Sequence, residues 1–443
     1  MDSAKRARYN DENEDEVDIE NEEIDEIAVY EFYSDPKDGG LVLSNEYLKK
    51  SYSIVQSDIQ VKGCFNFSYF RKNTFEGFNN LKSLDINFRG ESIRDIVSES
   101  LKCLKFEPLG TCFQDFSQNH LPKLESLTFD RNDLATFEFE SPIPNLKVLS
   151  MDSCNISVLE FEIPTSLKKL YVSNNQLYSL PDLSKHTKIE EIFCGSNEIE
   201  FLDNLPPNIR YMDLSNNEIG KIPNGLPDSF TEINFENNKI EKITKLPKNI
   251  KILNLTSNLI KRWDTLLPEN IESLVLENNR LTSFPVRKIN DKLKELFLNQ
   301  NKFSNFPDFS NTNIETLDFS GNRLNFREVK KIKNRLPATI RDLQFTHLGL
   351  VVFPDLSGFP NLERIDFSNN NLCFLEAAKL PKSLKRINLS YNRFSKLPDL
   401  RSLENLEIIE LSNNYIKIDE GYDLNTVTLK ENVNIFVEPQ RVR

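Results

Sequence analysis

The chain has 443 residues, of which 28% are charged, and its 55 Lys and Arg against 68 Asp and Glu give a net charge of −13. No apolar run approaches the ~18 residues that a membrane-spanning helix needs, and no signal-peptide core follows Met1. The acidic balance also disfavours nucleic acid, because binding to phosphates needs a surplus of Lys and Arg. We therefore expect neither a membrane nor a nucleic acid as partner.

The first 26 residues are far more acidic than the rest of the chain. They hold twelve Asp or Glu against three basic residues, a net charge of −9, so only about −4 remains for all later residues. Such a segment cannot bury enough apolar surface to fold, and residues 1–26 are predicted to be a disordered acidic tail. The tail either keeps the protein soluble or docks on a basic partner. Its Lys5-Arg6-Ala7-Arg8 cluster also matches a minimal nuclear-import signal.

Residues 27–55 contain apolar and aromatic side chains without a repeating pattern, and we expect them to form an N-terminal cap. Three loosely patterned units follow within residues 56–123, near Gln56, Leu81 and Leu101. Regular repeats then fill residues 124–423. A partial repeat with a C-terminal cap is expected over residues 424–443.

The regular repeats carry one pattern of apolar residues and Asn. It reads LKKLYVSNNQL from Leu167, IRYMDLSNNEI from Ile209 and LKRINLSYNRF from Leu384. Each unit predicts one short strand with alternating buried and exposed side chains, and stacked units share a continuous core. The spacing is 20 to 22 residues in every case but one, and the fourteen units begin at Leu124, Leu146, Leu167, Ile189, Ile209, Phe230, Ile250, Ile271, Leu293, Ile314, Ile340, Leu362, Leu384 and Leu406.

The ninth position of the repeat, counted from its first apolar residue, is usually Asn. The chain leaves the strand there, and an amide side chain offers both donors and an acceptor to buried backbone groups. Cys154 and Leu348 replace it in two repeats, and we expect a local gap at Leu348, whose side chain cannot hydrogen-bond. The predicted structural Asn ladder consists of Asn132, Asn175, Asn197, Asn217, Asn238, Asn258, Asn279, Asn301, Asn322, Asn370, Asn392 and Asn414.

Proline recurs in the segments that return from one strand to the next, as in LPDL from Leu180 and LPKN from Leu246. Proline favours extended backbone, and units of about 21 residues leave little room for helices. The exception is the 26-residue step from Ile314 to Ile340, where residues 327–336 could supply a helical turn or two.

This pattern is that of the leucine-rich repeats, and the short unit with LPxxLxxLxLxxNxLxxLP resembles their bacterial, proline-containing class. That class occurs in secreted effectors of pathogenic bacteria, and the sequence is also similar to predicted repeat proteins of amoebae and of large DNA viruses. The resemblance covers about residues 56–432. It implies an α/β-class repeat solenoid of mostly strand and coil: a horseshoe with a parallel sheet on its concave face and extended or polyproline-like convex segments.

No arrangement typical of catalysis is present. His120, His186 and His347 lie in separate units without partners at metal-ligand spacing, and phosphate-binding glycine motifs and nucleophile motifs are absent. We therefore expect no enzymatic activity, no cofactor, no metal and no small-molecule substrate. The six Cys do not form the Cys-rich caps common in extracellular repeat proteins, which favours an intracellular, cytoplasmic location, in the host cytoplasm if the source is a virus.

Two groups of outward-facing residues are candidates for binding a protein partner. Tyr171, Phe193 and Tyr211 come from adjacent strands and should form one aromatic patch, although ring stacking that only stiffens the sheet is the alternative. A charged stretch near the C-terminal end is the second group, with a solvated surface as the simpler interpretation. The remaining candidates are Phe297, Asp318, Arg364, Asp366, Arg386 and Glu410.

The charges at the second position alternate in sign along the array, as in Lys251, Glu272, Lys294 and Glu315. This alternation predicts ion pairs between neighbouring strands rather than a phosphate-binding stripe. The sequence thus favours a non-catalytic scaffold that binds an unknown protein on its concave sheet. The alternative is a substrate-recruiting subunit or host-directed effector acting on ubiquitin or signalling machinery, which a helical adaptor motif within residues 27–80 would favour.

Overall fold

A computed structural model gives the architecture of most of the repeat array, in two compact units, residues 1–147 and 148–443. The predicted tail, residues 1–26, and cap, residues 27–55, lie outside the described residues, as does much of the C-terminal region 424–443. The described residues are 59–64, 81–87, 92–94, 96–107, 115–141, 143–417, 427 and 433–441.

The first unit contains two parallel sheets. One is formed by β1 (Ile59–Cys64), β2 (Leu81–Asn87), β4 (Cys103–Glu107) and β6 (Ser126–Thr128), and the other by β3 (Ser92–Arg94), β5 (Asp115–Ser117) and β7 (Glu138–Phe139). Strands β1, β2 and β4 fall in the three loosely patterned units. Buried aromatic rings fill the core: Phe129 stacks on Phe106 with centroids 5.1 Å apart and meets Phe116 edge-on at 5.7 Å.

The described part of the second unit contains fourteen strands, and each pairs in parallel with the next one in the sequence. Thirteen come from the regular repeats, starting with the one at Leu146, and one comes from the C-terminal region. They are β8 (Val148–Ser150), β9 (Lys169–Tyr171), β10 (Glu191–Phe193), β11 (Tyr211–Asp213), β12 (Glu232–Asn234), β13 (Ile252–Asn254), β14 (Ser273–Val275), β15 (Glu295–Phe297), β16 (Thr316–Asp318), β17 (Asp342–Gln344), β18 (Arg364–Asp366), β19 (Arg386–Asn388), β20 (Ile408–Glu410) and β21 (Asn434–Phe436).

The repeat pattern explains which side chains form the core. In the repeat at Ile250, Leu253 and Leu255 are completely buried, Ile252 just before them is half-buried on the other side of the sheet, and Trp263 is buried in the return segment. Parallel pairing places the equivalent residues of neighbouring repeats beside one another, so each strand of three residues shares its core with two neighbours. We call the opposite side of the sheet, which carries the third- and fifth-position side chains, the strand face.

The described part of the chain contains very little helix. The long step between β16 and β17 holds α1 (Phe326–Val329) and a 3₁₀ helix (Ile332–Asn334), as its extra residues predicted. The buried Glu328 anchors this segment: its Oε2 accepts from the Phe306 N–H at 3.1 Å and from Arg335 at 2.9 Å. Two other 3₁₀ helices occur, at Val286–Lys288 and Ala377–Lys379.

Each ladder Asn connects its own turn to the preceding one. Asn258 Nδ2 donates to the carbonyl of Phe235 in the preceding repeat at 2.9 Å and to two carbonyls of its own repeat, those of Leu255 and Thr256, at 3.1 Å each. Its Oδ1 accepts from the N–H of Ile240 at 3.0 Å. One amide thereby satisfies four backbone groups at the end of the strand, where strand pairing has stopped.

The two repeats without this Asn are supported from the following repeat. Asn370 Oδ1 accepts from the backbone N–H groups of both Leu348 and Leu350, at 3.1 and 3.0 Å. In the same way, Asn175 Oδ1 accepts from the backbone N–H groups of Cys154 and Ile156, at 2.9 and 3.0 Å. The gap at Leu348 therefore removes one side-chain connection, while the backbone of that turn still has partners.

The residue at the eighth position of the repeat has an unusual backbone conformation, which the repeat pattern did not predict. In all fourteen regular repeats it has φ between 50° and 66°, in the left-handed region that L residues seldom adopt. Asn fills it in six repeats and Gly321 in one, which fits the tolerance of Asn and Gly for this region. In the two repeats without the ladder Asn, the tenth position is left-handed as well, Asn155 at 59° and Gly349 at 67°.

Replacing a ladder Asn should destabilise the protein strongly. Asn258→Ala leaves four buried backbone groups without this partner, and we expect a loss of ~1–3 kcal/mol in the free energy of unfolding in urea. Asn270→Ala is the matched control, because Asn270 is half-buried and its side chain bonds one backbone group, the Lys248 carbonyl at 3.4 Å, besides the side chains of Asn249 and Lys292. Equal effects of the two substitutions would contradict the role of the ladder.

Gly321→Ala should lower the melting temperature. The residue has φ of 66°, and an added Cβ would lie 3.2 to 3.4 Å from Gln300 atoms, so the substitution meets both strain and crowding. Gly358→Ala meets no atom within 4 Å and serves as control. We expect a cost of about 1 kcal/mol or more for Gly321→Ala and almost none for the control; a neutral Gly321→Ala would disprove this reasoning.

Candidate protein-binding face

Three aromatic side chains from β9, β10 and β11 meet on the strand face. Tyr171 and Phe193 are directly opposite each other, and their rings stack with centroids 4.5 Å apart and planes 5° apart. The Tyr211 ring lies 5.0 Å from that of Phe193, tilted by 41°. All three side chains are half-buried. The structure thus brings these predicted residues together in one surface, the aromatic patch.

Charged residues border the aromatic patch on both sides. Lys169 and Glu191, two residues before Tyr171 and Phe193, form an ion pair of 3.0 Å, and Glu191 is directly opposite Tyr211. Asp213 lies opposite Phe193 on the next strand. The patch therefore combines an apolar centre with a polar edge, as protein-binding surfaces commonly do.

Gly195 makes room for the Asp213 carboxylate beside the patch. A Cβ on Gly195 would lie 2.8 Å from Ser215 Oγ and 3.2 Å from Asp213 Oδ2. Asp213 Oδ1 accepts from the N–H of Ser215 at 2.9 Å and from the Asn234 amide at 3.0 Å. Burial raises the pKa of Asp213, and these hydrogen bonds partly offset that effect.

Phe297 does not belong to an exposed surface, which corrects its place among the candidates. It is only 6% exposed, although it occupies the outward fifth position. It lies between Val275 and Asp318 on the neighbouring strands, and strands ~5 Å apart leave little of a ring uncovered between such neighbours. Phe297 therefore offers too little area to anchor a partner.

The carboxylates of Asp318 and Asp366 accept backbone hydrogen bonds at the ends of their strands. Asp318 is 9% exposed, and its Oδ1 accepts from the N–H of Ser320 at 2.9 Å; Asp366 accepts in the same way from Ser368 at 2.8 Å. A side chain that accepts from the N–H two residues later ends the strand locally. This signal was present in the sequence as Asp or Asn at the fifth position, and the same bond is made by Asp213, Asn234, Asn254 and Asn388.

The predicted charged stretch is spread over four strands, β16, β18, β19 and β20, rather than gathered in one cluster. Arg364 is paired with Asp342 at 2.8 Å and lies opposite Arg386, and both arginines are exposed. Glu410 is half-buried two strands beyond Asp366, and burial together with the charge of Asp366 raises its pKa. Exposed groups remain here, and the exposed ring of Phe436 lies opposite Glu410 on β21.

Ion pairs between neighbouring repeats confirm the expectation from the alternating charges. Lys251 lies 3.2 Å from Glu272, and Lys294 lies 2.8 Å from Glu315. Glu315 also contacts Arg341 at 3.4 Å. These pairs are largely exposed and contribute little to stability individually. They do give the carboxylates basic partners, and without these partners the carboxylates would repel one another along the array.

The histidines make local contacts. His186 Nε2 is 2.9 Å from the Ile163 carbonyl, and His120 is paired with Glu99 at 3.0 Å on the surface. Within the described ranges, no group of three or more His, Cys, Asp and Glu could hold a metal ion. In those same ranges, no helix is long and apolar enough to cross a membrane.

Comparisons with known proteins agree with this architecture. The family model described as Leucine Rich Repeat matches residues 208–228. No curated protein matches the chain in sequence. The fold is similar to YopM from Yersinia enterocolitica (TM-score 0.56, 20% identity, 90% of this chain and 91% of that one) and to YopM, a leucine-rich effector protein from Yersinia pestis (0.50, 26%, 75% and 88%). It is also similar to a chain of the Toll–Spatzle complex of Drosophila (0.59, 18%, 85% and 61%).

The described part of the chain therefore has the fold of a parallel-strand solenoid with very little helix, like that of leucine-rich repeat proteins. Its fold is similar to that of microbial effector proteins. One of these similar structures, the Drosophila chain, is part of a protein complex.

Replacing Asp318 by Asn should stabilise the protein in a pH-dependent way. Burial raises the pKa of Asp318 from 3.8 to about 6, so the folded protein disfavours the ionised carboxylate and loses stability as the pH rises between these values. Asn makes the same bond to the N–H two residues later in other repeats, as Asn254 shows. We expect Asp318→Asn to raise the free energy of unfolding by ~1–3 kcal/mol near neutral pH and much less near pH 4.

Urea unfolding at the two pH values measures this effect. Asp399→Asn is the control, because hydrogen bonds from Arg401 lower the pKa of Asp399 to about 2, and this exposed residue should show no gain at neutral pH. A stabilisation by Asp318→Asn that is the same at both pH values would show that ionisation is not the cause.

Proposed function

We propose that the protein is a non-catalytic scaffold that binds another protein through the strand face of its second unit, which we take to be the concave side. The stacked rings of Tyr171 and Phe193, extended by Tyr211, carry this proposal. Aromatic side chains grouped on a rigid surface are typical of binding anchors, because they bring large contact area with few rotatable bonds.

The surroundings of the aromatic patch support this role. The rings are held by neighbouring strands in fixed parallel register, so little conformational freedom is lost when a partner binds. Lys169 and Glu191 at the edge can exchange their mutual ion pair for contacts with the partner. Arg364, Arg386 and Glu410 are secondary contact candidates, whereas Phe297 and the strand-ending Asp318 and Asp366 are not among them.

A substrate-recruiting subunit or a host-directed effector is the second candidate function. The fold similarity to YopM from two Yersinia species supports it, as does the short proline-containing repeat that resembles bacterial effectors. A helical adaptor motif within residues 27–80 would distinguish this function. Of that segment the structure describes only β1, a strand of the repeat sheet. This second candidate therefore differs from the first only in the cellular process that the scaffold serves. The binding face is the same in both.

The cysteines are consistent with an action inside a cell, which we include in the proposal. Cys103, Cys194 and Cys373 are free thiols, and Cys194 is fully buried. Burial is the first cause of the raised pKa of Cys194, which favours an unreactive thiol. The Lys5–Arg8 cluster leaves nuclear entry as a variant of this proposal.

The proposal is tested by removing the anchors. The tagged chain is used for affinity capture from its native cells, partners are identified by mass spectrometry, and the affinity of the recovered partner is measured by calorimetry. Tyr171→Ala with Phe193→Ala should weaken that affinity by roughly tenfold or more, because each ring contributes buried contact area. The melting temperature should change little, since both side chains are only half-buried.

Leu266→Ala with Phe374→Ala is the matched control. These side chains are apolar and 72% and 66% exposed, but they lie in return segments away from the strand face. Their replacement should leave the affinity unchanged. A partner that binds the Tyr171 and Phe193 variant as tightly as the original protein would remove the aromatic patch as its site.

A further inference from the structure

A second apolar surface lies in the return segments of three consecutive repeats, just after the ladder position. Val158, Tyr178 and Phe201 are 58%, 59% and 67% exposed. They are flanked by buried core residues such as Leu177 and Leu202, so their exposure is not caused by a general loosening of these segments. We call these three side chains the lateral ridge.

Backbone hydrogen bonds hold the three segments side by side. The N–H of Gln176 donates to the Ile156 carbonyl at 2.8 Å, and the N–H of Glu200 donates to the Tyr178 carbonyl at 3.3 Å. Val158 and Tyr178 each lie two residues beyond the first bonded pair, and Phe201 follows the second pair directly. The lateral ridge therefore runs across three adjacent turns, and contiguous exposed apolar side chains of this kind mark interaction sites.

Every charged residue beside the lateral ridge is acidic. This holds for residues 155–162, 176–183 and 198–204, the parts of the three return segments that contain the ridge side chains; Lys185 follows the second part. The sign changes in the following turns, which carry Lys221 and Lys242. All six acidic side chains are exposed, and none forms a salt bridge within the described part of the chain: Glu160, Glu162, Asp182, Glu198, Glu200 and Asp203.

One of these carboxylates acts directly on a ridge residue. A hydrogen bond to the Glu198 side chain is the first cause of the raised pKa of Tyr178, and the negative charge of Glu198 adds to it. Tyr178 therefore has an acidic neighbour as well as belonging to the apolar ridge. A ring with a carboxylate beside it attracts cations, both through the charge and through the face of the ring.

We propose that the lateral ridge docks a basic segment of another protein in which Lys or Arg alternates with apolar residues. The apolar residues would cover Val158, Tyr178 and Phe201, and the cations would meet Glu198, Glu200 and their acidic neighbours. Complementary charge makes such a site selective for its partner, and the apolar contacts provide affinity. This surface is separate from the aromatic patch, so the two sites can hold different segments.

The experiment uses a fluorescein-labelled peptide of alternating Lys and Leu, and measures its anisotropy with the full chain at physiological salt. Tyr178→Ser with Phe201→Ser should weaken binding by roughly tenfold, and Glu198→Gln with Glu200→Gln should weaken it and flatten its salt dependence. Phe374→Ser and Glu404→Gln are matched controls at exposed positions elsewhere, and Tyr171→Ala with Phe193→Ala controls for the strand face; all three should leave binding unchanged.

Two further peptides decide which contacts matter. Alternating Lys and Ser keeps the charge without the apolar residues, and alternating Glu and Leu does the reverse; both should bind much more weakly than the first peptide. Equal binding of either one, or equal losses in ridge and control variants, would overturn the proposal. Sedimentation that showed wild-type self-association abolished by Phe201→Ser would also overturn it, because a second copy of the chain would then be the occupant.

Discussion

The Asn amide at the ninth position is the interaction on which the rest of the structure depends. Strands of three residues make too few hydrogen bonds to fix a turn by themselves, and the chain must leave each strand with buried backbone groups unsatisfied. Asn258 shows the solution, since its amide bonds carbonyls in two turns and accepts an N–H from the preceding one. Where Leu348 interrupts the ladder, Asn370 accepts two N–H groups and keeps the turn in place.

This ladder, together with the left-handed residue before it, makes successive turns superimpose in register. Register has a functional consequence, because a side chain at one repeat position meets its counterpart on the next strand. For this reason Tyr171 stacks on Phe193, and Lys294 forms an ion pair with Glu315. Regularity thus lets a few substitutions at equivalent positions build an extended surface without any change in the backbone.

Because the repeats are regular, many side chains of the strand face have a structural role and are not available for binding. Asp318 and Asp366 end their strands, and Phe297 is covered between its neighbours. What remains free to recognise a partner is unevenly distributed: an aromatic group on the strand face at β9 to β11, and an apolar ridge with acidic borders in nearby return segments. Both surfaces fall within the same few repeats, so one region of the second unit carries two kinds of surface chemistry.

The sequence by itself determined the repeat length, the parallel strands, the buried Leu253 and Leu255, the helical insert after β16 and the adjacency of Tyr171, Phe193 and Tyr211, because a strict period maps each residue onto one place in the turn. It did not determine how exposed each place is. Phe297 and Phe193 occupy equivalent positions, yet only one is covered, and Phe201 projects from a segment whose neighbours are buried. Those differences were decided by the tertiary structure, since exposure depends on which side chains the adjacent turns set beside a residue.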